Sequence, residues 1–192
     1  MSKEGKLFII SAPSGAGKTT LEQMILDSEL DLIKSVSATT RKPRASEKNN
    51  KDYIFLLKDE FLKRRDNGEF LEWAEVFGNF YGTPKVKVIN AIEEGKNIIL
   101  SIDVQGAEQV KNIFSEAILI FIKTPDFNTL KNRLEGRLTD SDEEINKRLE
   151  VAKNELAKLD TYDHIIVNDD LDNAFYELKR VIKKCLEKEE EW

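Results

Sequence analysis

The sequence predicts an α/β protein, three layers around a parallel central sheet, and three observations carry that reading. Short apolar runs rich in β-branched residues recur at "KLFIIS" (6–11), "NIILSID" (97–103), "AILIFIK" (117–123) and "HIIVN" (164–168). Charged segments with apolar residues near helical spacing separate and follow these runs. Strands apolar on both faces, alternating with helices, are the pattern of a parallel sheet covered on both sides. The third observation is an interruption. Residues 35–83 break the alternation and read as a separate, mixed subdomain inserted into the core.

Taken in order, residues 6–11 read as a buried strand followed by a Gly-rich loop, "SAPSGAGKTT". "TTLEQMILDSEL" (19–30) spaces Leu21, Met24, Ile25 and Leu30 as a helix does. Residues 35–38 and 53–57 read as strands around the polar loop "ASEKNNKD", and 58–68 as a short helix ended by Gly68. "EFLEWAEVFGNFYGT" (69–83) alternates well enough for two strands turning at Gly78-Asn79. Residues 84–95 open with Pro84 and close with Gly95, the asymmetry of a helix. "NIILSID" is then a buried strand, "QGAEQVKNIF" a helix and "AILIFIK" a second buried strand. A long charged helical region (126–160) precedes the last strand, and "LDNAFYELKRVIKKCLEKEEE" closes the chain as a helix.

Composition bounds the function. The 192 residues suit one domain with a sizeable core, and 40% apolar with 34% charged residues is a globular balance. The net charge of −6, from 36 acids and 30 bases, lacks the basic face of a general nucleic-acid binder but permits a local anion pocket. No apolar run reaches the ~18 residues of a membrane span, and the N-terminal apolar stretch is too short for a signal peptide. The single cysteine, Cys185, fits a reducing compartment, so the expectation is a cytoplasmic protein. His164 has no metal set or triad partners in the sequence and reads as structural.

Two basic-and-polar stretches stand close together. "APSGAGKTT" matches G-x-x-x-x-G-K-[ST], except that Ala12 stands where the first Gly belongs. In such a loop, Gly15 and Gly17 give the backbone the freedom to turn consecutive N–H groups inward at phosphate oxygens, and Ala12, Pro13, Ser14, Gly15, Ala16 and Gly17 are the residues expected along the ATP phosphates. Lys18 reaches the β/γ-phosphates, and Thr19, followed by Thr20, offers its hydroxyl to Mg2+. Asp103, ending an apolar strand, is placed to hold a water of that Mg2+, although a plain strand end reads the same way. The second stretch, "SVSATTRKPR" (35–44), puts Arg41 and Arg44 within reach of one phosphate, with the hydroxyls of Ser37, Tyr53 and Tyr81 as candidate partners. Taken alone, it could equally be a solvated basic loop, the tyrosines packing residues and Glu72 a surface acid.

Six blocks settle what these stretches resemble. "SAPSGAGKTT", "SVSATTRKPR", "FLEWAEVFGNFYGT", "SIDVQGAEQVK", "RLEGRLTDSDEEINKRL" and "IIVNDDLDNA" occur in the order and spacing of guanylate kinases, over residues 5–182. The resemblance implies a Mg2+-dependent transfer of phosphoryl from ATP to GMP. It implies a core (1–34, 84–125, 156–192), a GMP-binding subdomain (35–83) and a helical lid (126–155). It puts the GMP phosphate on Arg41, Arg44, Tyr53 and Tyr81 and the guanine on Ser37, Glu72 and Thr83, with Asp103 also on the GMP side. It puts Arg133 and Asn168 near the adenine and Arg137 and Arg148 on the transferring phosphoryl. Lys18, Arg41, Asp103, Arg137 and Arg148 are then the catalytic set. Chemistry independent of the family agrees for Glu72: guanine offers two adjacent donors that one carboxylate accepts, whereas adenine would face it with a lone pair.

The match departs at three positions. Ser101 stands where a first Asp is usual before Asp103, and 101 and 103 would share one face of a strand, so one carboxylate is missing. Leu138 replaces a customary Gly after Arg137, and Thr83 replaces the commoner Ser while keeping the hydroxyl. Two other readings compete: a binding module of the same fold without chemistry, and a related kinase with another acceptor such as a phosphorylated ribose. The first would have lost parts of the ATP site, the second the trio Ser37, Glu72 and Thr83; all are present. The implied partners are ATP and GMP, with neither nucleic acid nor membrane; self-association is open to the chain but not predicted.

Overall fold

The computed structural model describes residues 4–136 and 141–187. The strands are β1 (Leu7–Ser11), β2 (Leu32–Lys34), β3 (Ala38–Thr39), β4 (Ile54–Phe55), β5 (Phe70–Val76), β6 (Asn79–Pro84), β7 (Asn97–Ser101), β8 (Ile118–Lys123) and β9 (His164–Val167). The helices are α1 (Lys18–Leu26), α2 (Lys58–Asp66), α3 (Lys85–Glu93), α4 (Val104–Ile113), α5 (Phe127–Glu135), α6 (Asp142–Leu156) and α7 (Leu171–Glu187), with a short 3-10 turn at Leu159–Thr161. One sheet has the order β2-β7-β1-β8-β9, and a second has the order β4-β3-β6-β5. The first is the parallel sheet that the alternation predicts: β1–β8, β2–β7 and β8–β9 all pair parallel. The second is mixed, β3 running parallel to β4 and antiparallel to β6.

The chain divides into two compact units. The first comprises Met1–Leu7, Asp31–Leu100 and Gln105–Ala117; the second comprises Phe8–Leu30, Ser101–Val104 and Ile118–Trp192. Every residue of β1 is buried, as a central strand requires, and in the second unit Phe8, Ile9, Ile10, Ile120 and Phe121 are fully so. Helix α7 buries Ala174, Leu178, Ile182 and Cys185, a one-sided stripe, and packs on α1 and β9. A separate cluster forms between α5 and α6 from Leu130, Leu134, Ile145, Leu149 and Ala152, with Phe127 against it. In the first unit the mixed sheet closes over Phe61 of α2, which stacks on Phe70 at 4.5 Å and Phe80 at 5.5 Å.

Several boundaries differ from those the sequence predicts. Residues 35–38 do not form one strand: Leu32–Lys34 pairs with β7, and the chain then leaves to enter the second sheet at Ala38. The strand expected over 53–57 is only Ile54–Phe55, and the β5–β6 hairpin turns at Phe77-Gly78, one residue early. Phe77 and Gly78 both have positive φ (49° and 74°), which suits the tight two-residue hairpin between Val76 and Asn79. Pro84 ends β6 and caps α3 rather than opening it. The region 126–160 is two helices. Asp126 starts the first by accepting from Thr129 N–H, and a reciprocal Ser141–Glu144 capping box starts the second. Strand β7 stops at Ser101, so Asp103 lies past it, beside the start of α4, and does not share a strand face with Ser101.

Candidate active site

The second unit carries the phosphate-loop residues. Between β1 and α1 the backbone reverses direction through Gly15 and Gly17, both at φ 92°, where a side chain is strained. At Gly17 space also forbids one: a Cβ would lie 2.3 Å from Asn168 Nδ2. Asn168, buried at the end of β9, donates from that nitrogen to Ala16 O at 2.7 Å and ties the loop down from behind. Ala16 N–H donates to Pro13 O, and Leu21 N–H to Gly17 O, so α1 begins directly at the loop. Lys18 donates through Nζ to Ile102 O at 3.3 Å, and Ser11 Oγ to Asp103 O at 3.5 Å. The loop is thereby fixed to the residues around Asp103. Thr19 and Thr20 are exposed at the first turn of α1, where the helix dipole is positive.

Helix α6 adds two side chains to this unit. Arg148 donates through Nη1 to Ser14 Oγ at 3.1 Å, and Glu155 lies two turns further along. Glu155 is 9% exposed and occupies the buried stripe of Ile145, Leu149 and Ala152. Burial, seconded by the charge of Asp103 and opposed by Lys18, pushes its carboxyl up to about 7. Nothing along the sequence singles it out. Its signal was present, an acid on the apolar stripe of a helix, but it sits among many other glutamates. Arg133 donates through Nη2 to Asp169 O at 3.4 Å. Arg137 and Leu138 lie outside the described residues.

The first unit carries Ser37, Arg41, Arg44, Tyr53, Glu72, Tyr81 and Thr83, while Asp103 belongs to the second. The β5–β6 hairpin sets Glu72 directly opposite Thr83. Both are buried, and Thr83 Oγ1 donates to Glu72 Oε1 at 2.6 Å. The same register places Tyr81 opposite Ala74, and the Tyr81 ring meets Tyr53 edge-on at 6.1 Å. The Arg41 guanidinium lies 5.5 Å from the Tyr53 ring centre and 6.0 Å from that of Phe55, so it is braced by aromatic faces. The hydrogen bond to Glu47 raises the Arg41 pKa above its ordinary value despite partial burial, with Tyr81 adding to the rise. Ser37 uses its backbone carbonyl to accept Ile54 N–H, which holds its segment against β4. Gln109 of α4 grips β5 next to Glu72: it accepts from Trp73 N–H at 3.2 Å and donates to Trp73 O at 2.9 Å. Neither Glu47 nor Gln109 was legible in the sequence as part of this arrangement.

Among the described residues no group of three or more His, Cys, Asp or Glu side chains could hold a metal ion. Of the residues expected at a metal, Thr19 carries its hydroxyl at the first turn of α1 and Asp103 its carboxylate just before α4. That sparse, hard set fits Mg2+, which retains water and completes its shell with phosphate oxygens.

A strand, a Gly-rich turn pinned to its sheet and a lysine opening the next helix together define a P-loop nucleotide-binding protein. The chain belongs to the guanylate kinase family. The family model described as guanylate kinase matches residues 4–185. The chain is 50% identical to the guanylate kinase of Geobacter metallireducens, over 95% of this chain and 90% of that one. It is 44% identical to that of Caldanaerobacter subterraneus subsp. tengcongensis, over 96% and 91%. The crystal structure of guanylate kinase from Anaplasma phagocytophilum superposes with a TM-score of 0.82 at 32% identity, covering 98% of this chain and 89% of that one. The chain is thus an enzyme of the kinase class, with the mixed α/β fold that its sequence predicts.

Proposed function

We propose that the chain transfers the terminal phosphoryl group of Mg-ATP to GMP, yielding ADP and GDP, with dGMP as a second acceptor. The observation that carries this reading is the buried Glu72–Thr83 pair on the hairpin that also bears Tyr81. A buried carboxylate whose outer partner is a donor edge selects guanine over bases that lack adjacent N–H groups. Arg41, Arg44, Tyr53 and Tyr81 receive the phosphate of the acceptor, and Ser37 completes the contact with the base.

On the donor side, the backbone of residues 12–17 and the Lys18 ammonium hold the ATP phosphates, while Arg133 and Asn168 border the adenine. Thr19, and Asp103 through water, would hold Mg2+, which supplies charge neutralisation at the phosphates. Arg148 and Arg137 donate to the phosphoryl group as its charge spreads during in-line transfer. The acceptor oxygen attacks directly, with no covalent enzyme intermediate, so catalysis is positioning and charge compensation. Residues 35–83 form the acceptor subdomain, 126–155 the lid that excludes water, and the remaining segments the core. Such an enzyme serves purine nucleotide metabolism in the cytoplasm. No helix among the described residues is long and apolar enough to cross a membrane.

The test is ADP release from Mg-ATP with GMP, dGMP, AMP, UMP, CMP and ribose phosphates as separate acceptors, repeated with Glu72→Gln. Turnover confined to the guanine nucleotides is expected, with kcat/KM for GMP lowered ~100-fold in the variant. Comparable turnover with a non-guanine acceptor would overturn the assignment of Glu72.

A further inference from the structure

Glu47 lies in the loop between β3 and β4 and has no part in the roles assigned above. Among residues 42–51 it alone is not exposed. Its carboxylate turns back on Arg41, whose Nη2 donates to Glu47 Oε1 at 2.7 Å and to Oε2 at 3.0 Å. The two side chains are only 19% and 15% exposed. The same Oε2 accepts the Arg44 backbone N–H at 2.7 Å, and Glu47 N–H donates to Arg44 O at 3.0 Å. One side chain therefore fastens the guanidinium of Arg41 and closes the turn that displays Arg44. Burial pushes the Glu47 carboxyl up, but the Arg41 and Arg44 hydrogen bonds outweigh it and hold the group below its ordinary value.

The arrangement leaves Arg41 usable as an anion receptor. Nη2 is committed to Glu47, and one Nη1 hydrogen goes to Lys42 O at 2.7 Å. The Nε–H and the second Nη1 hydrogen are not committed to Glu47. A guanidinium held on one side presents its remaining donors in a fixed direction, which a phosphate needs if its oxygen is to be aimed at a reacting partner. An arginine without that restraint would meet the same phosphate in many poses.

We propose that Glu47 is the positioning residue of the acceptor-phosphate site, orienting Arg41 and the turn that carries Arg44 to receive the phosphate of the acceptor nucleotide. The proposal rests on the reading of GMP as acceptor. It opposes the simplest electrostatic expectation, in which removing an acid from an anion site strengthens anion binding.

The experiment compares the unaltered chain with Glu47→Gln, Glu47→Asp, Arg41→Ala and Arg41→Ala/Glu47→Gln. GMP affinity is measured by calorimetry, kcat and both KM values by coupled assay, and folding by thermal melting. Glu47→Gln is expected to weaken GMP binding and lower kcat, each by about 10-fold, with KM for ATP unchanged and part of the loss restored in Glu47→Asp. In the Arg41→Ala background the Glu47→Gln effect on GMP should shrink to under ~2-fold, which a purely structural loop contact would not do. Unchanged or tighter GMP binding in Glu47→Gln overturns the proposal while leaving the acceptor assignment standing. So does an equal loss with and without Arg41. Failure of the unaltered chain to bind GMP overturns both.

Discussion

The Gly-rich loop and the β5–β6 hairpin, the proposed donor and acceptor grips, are built from different material. The loop uses backbone: two glycines at φ 92° and a buried asparagine amide that fastens Ala16 O. The hairpin uses side chains from opposite strands, Glu72 facing Thr83 and Tyr81 meeting Tyr53. A backbone site is contiguous in sequence and insensitive to the base it serves. A side-chain site is assembled by strand register, and a one-residue slip would send Glu72 to the other face. The contrast suits the proposed division of labour: generic grip for the donor phosphates, selective reading for the acceptor.

The sharpest way to separate the halves is Lys18→Met. It should lower kcat ~1000-fold while calorimetry finds GMP binding unchanged; weakened GMP binding would mean that the two grips are not independent. Next in size is Glu155→Gln in the donor half. Because the fold raises this carboxyl from 4.5 to about 7, the native state keeps a proton that the unfolded chain releases between those values. Stability therefore falls as pH rises from about 4.5 to about 7, and the whole penalty is present above that. Glu155→Gln should flatten this slope, so that its stability at pH 8 relative to pH 4.5 exceeds that of the parent by up to ~3 kcal/mol. Urea melts in nucleotide- and Mg2+-free buffer check it; parallel curves for the two proteins would refute it.

Asn168→Ala removes the tie behind the loop and leaves Ala16 O without that donor. A stability loss of ~1–3 kcal/mol is expected, with KM for ATP raised and KM for GMP unmoved. The smallest effect belongs to the hairpin. Phe77 holds φ 49° with its ring half-exposed, a conformation in which asparagine is less strained. Phe77→Asn should stabilise by ~0.5–1 kcal/mol without altering guanine selection, as judged by thermal melting and by acceptor profile.

This contrast also explains what could be read from the sequence. The strand–turn–helix of the proposed donor side was legible because its parts are neighbours: buried β1, the Gly-rich turn and the Lys-Thr junction form one unbroken stretch. The alternating strands of the parallel sheet were legible because burial on both faces leaves uninterrupted apolar runs. The second sheet was less so. Strands β3 and β4 are two residues long, too short for a period to show, and the Phe77-Gly78 turn hides behind a residue that seldom takes positive φ. Glu72 and Thr83 were found through resemblance, since no pattern along the chain announces that positions eleven apart will hydrogen-bond. Glu47, Glu155 and Gln109 escaped because Glu and Gln are ordinary surface residues, and only tertiary packing turns them inward.

The grip of Gln109 on β5 has a consequence for association. Strand β5 ends the sheet β4-β3-β6-β5, and its outer N–H and C=O groups would otherwise be open to a strand from another molecule. The Gln109 amide takes both the N–H and the C=O of Trp73 at the middle of that rim, pairing as one residue of a neighbouring strand would. Arg65 stands over the Trp73 ring at 5.0 Å and sets a charge beside the same position. A single side chain thus blocks the hydrogen-bonding template at its centre, and the β5–β6 hairpin is shielded from edge-to-edge aggregation.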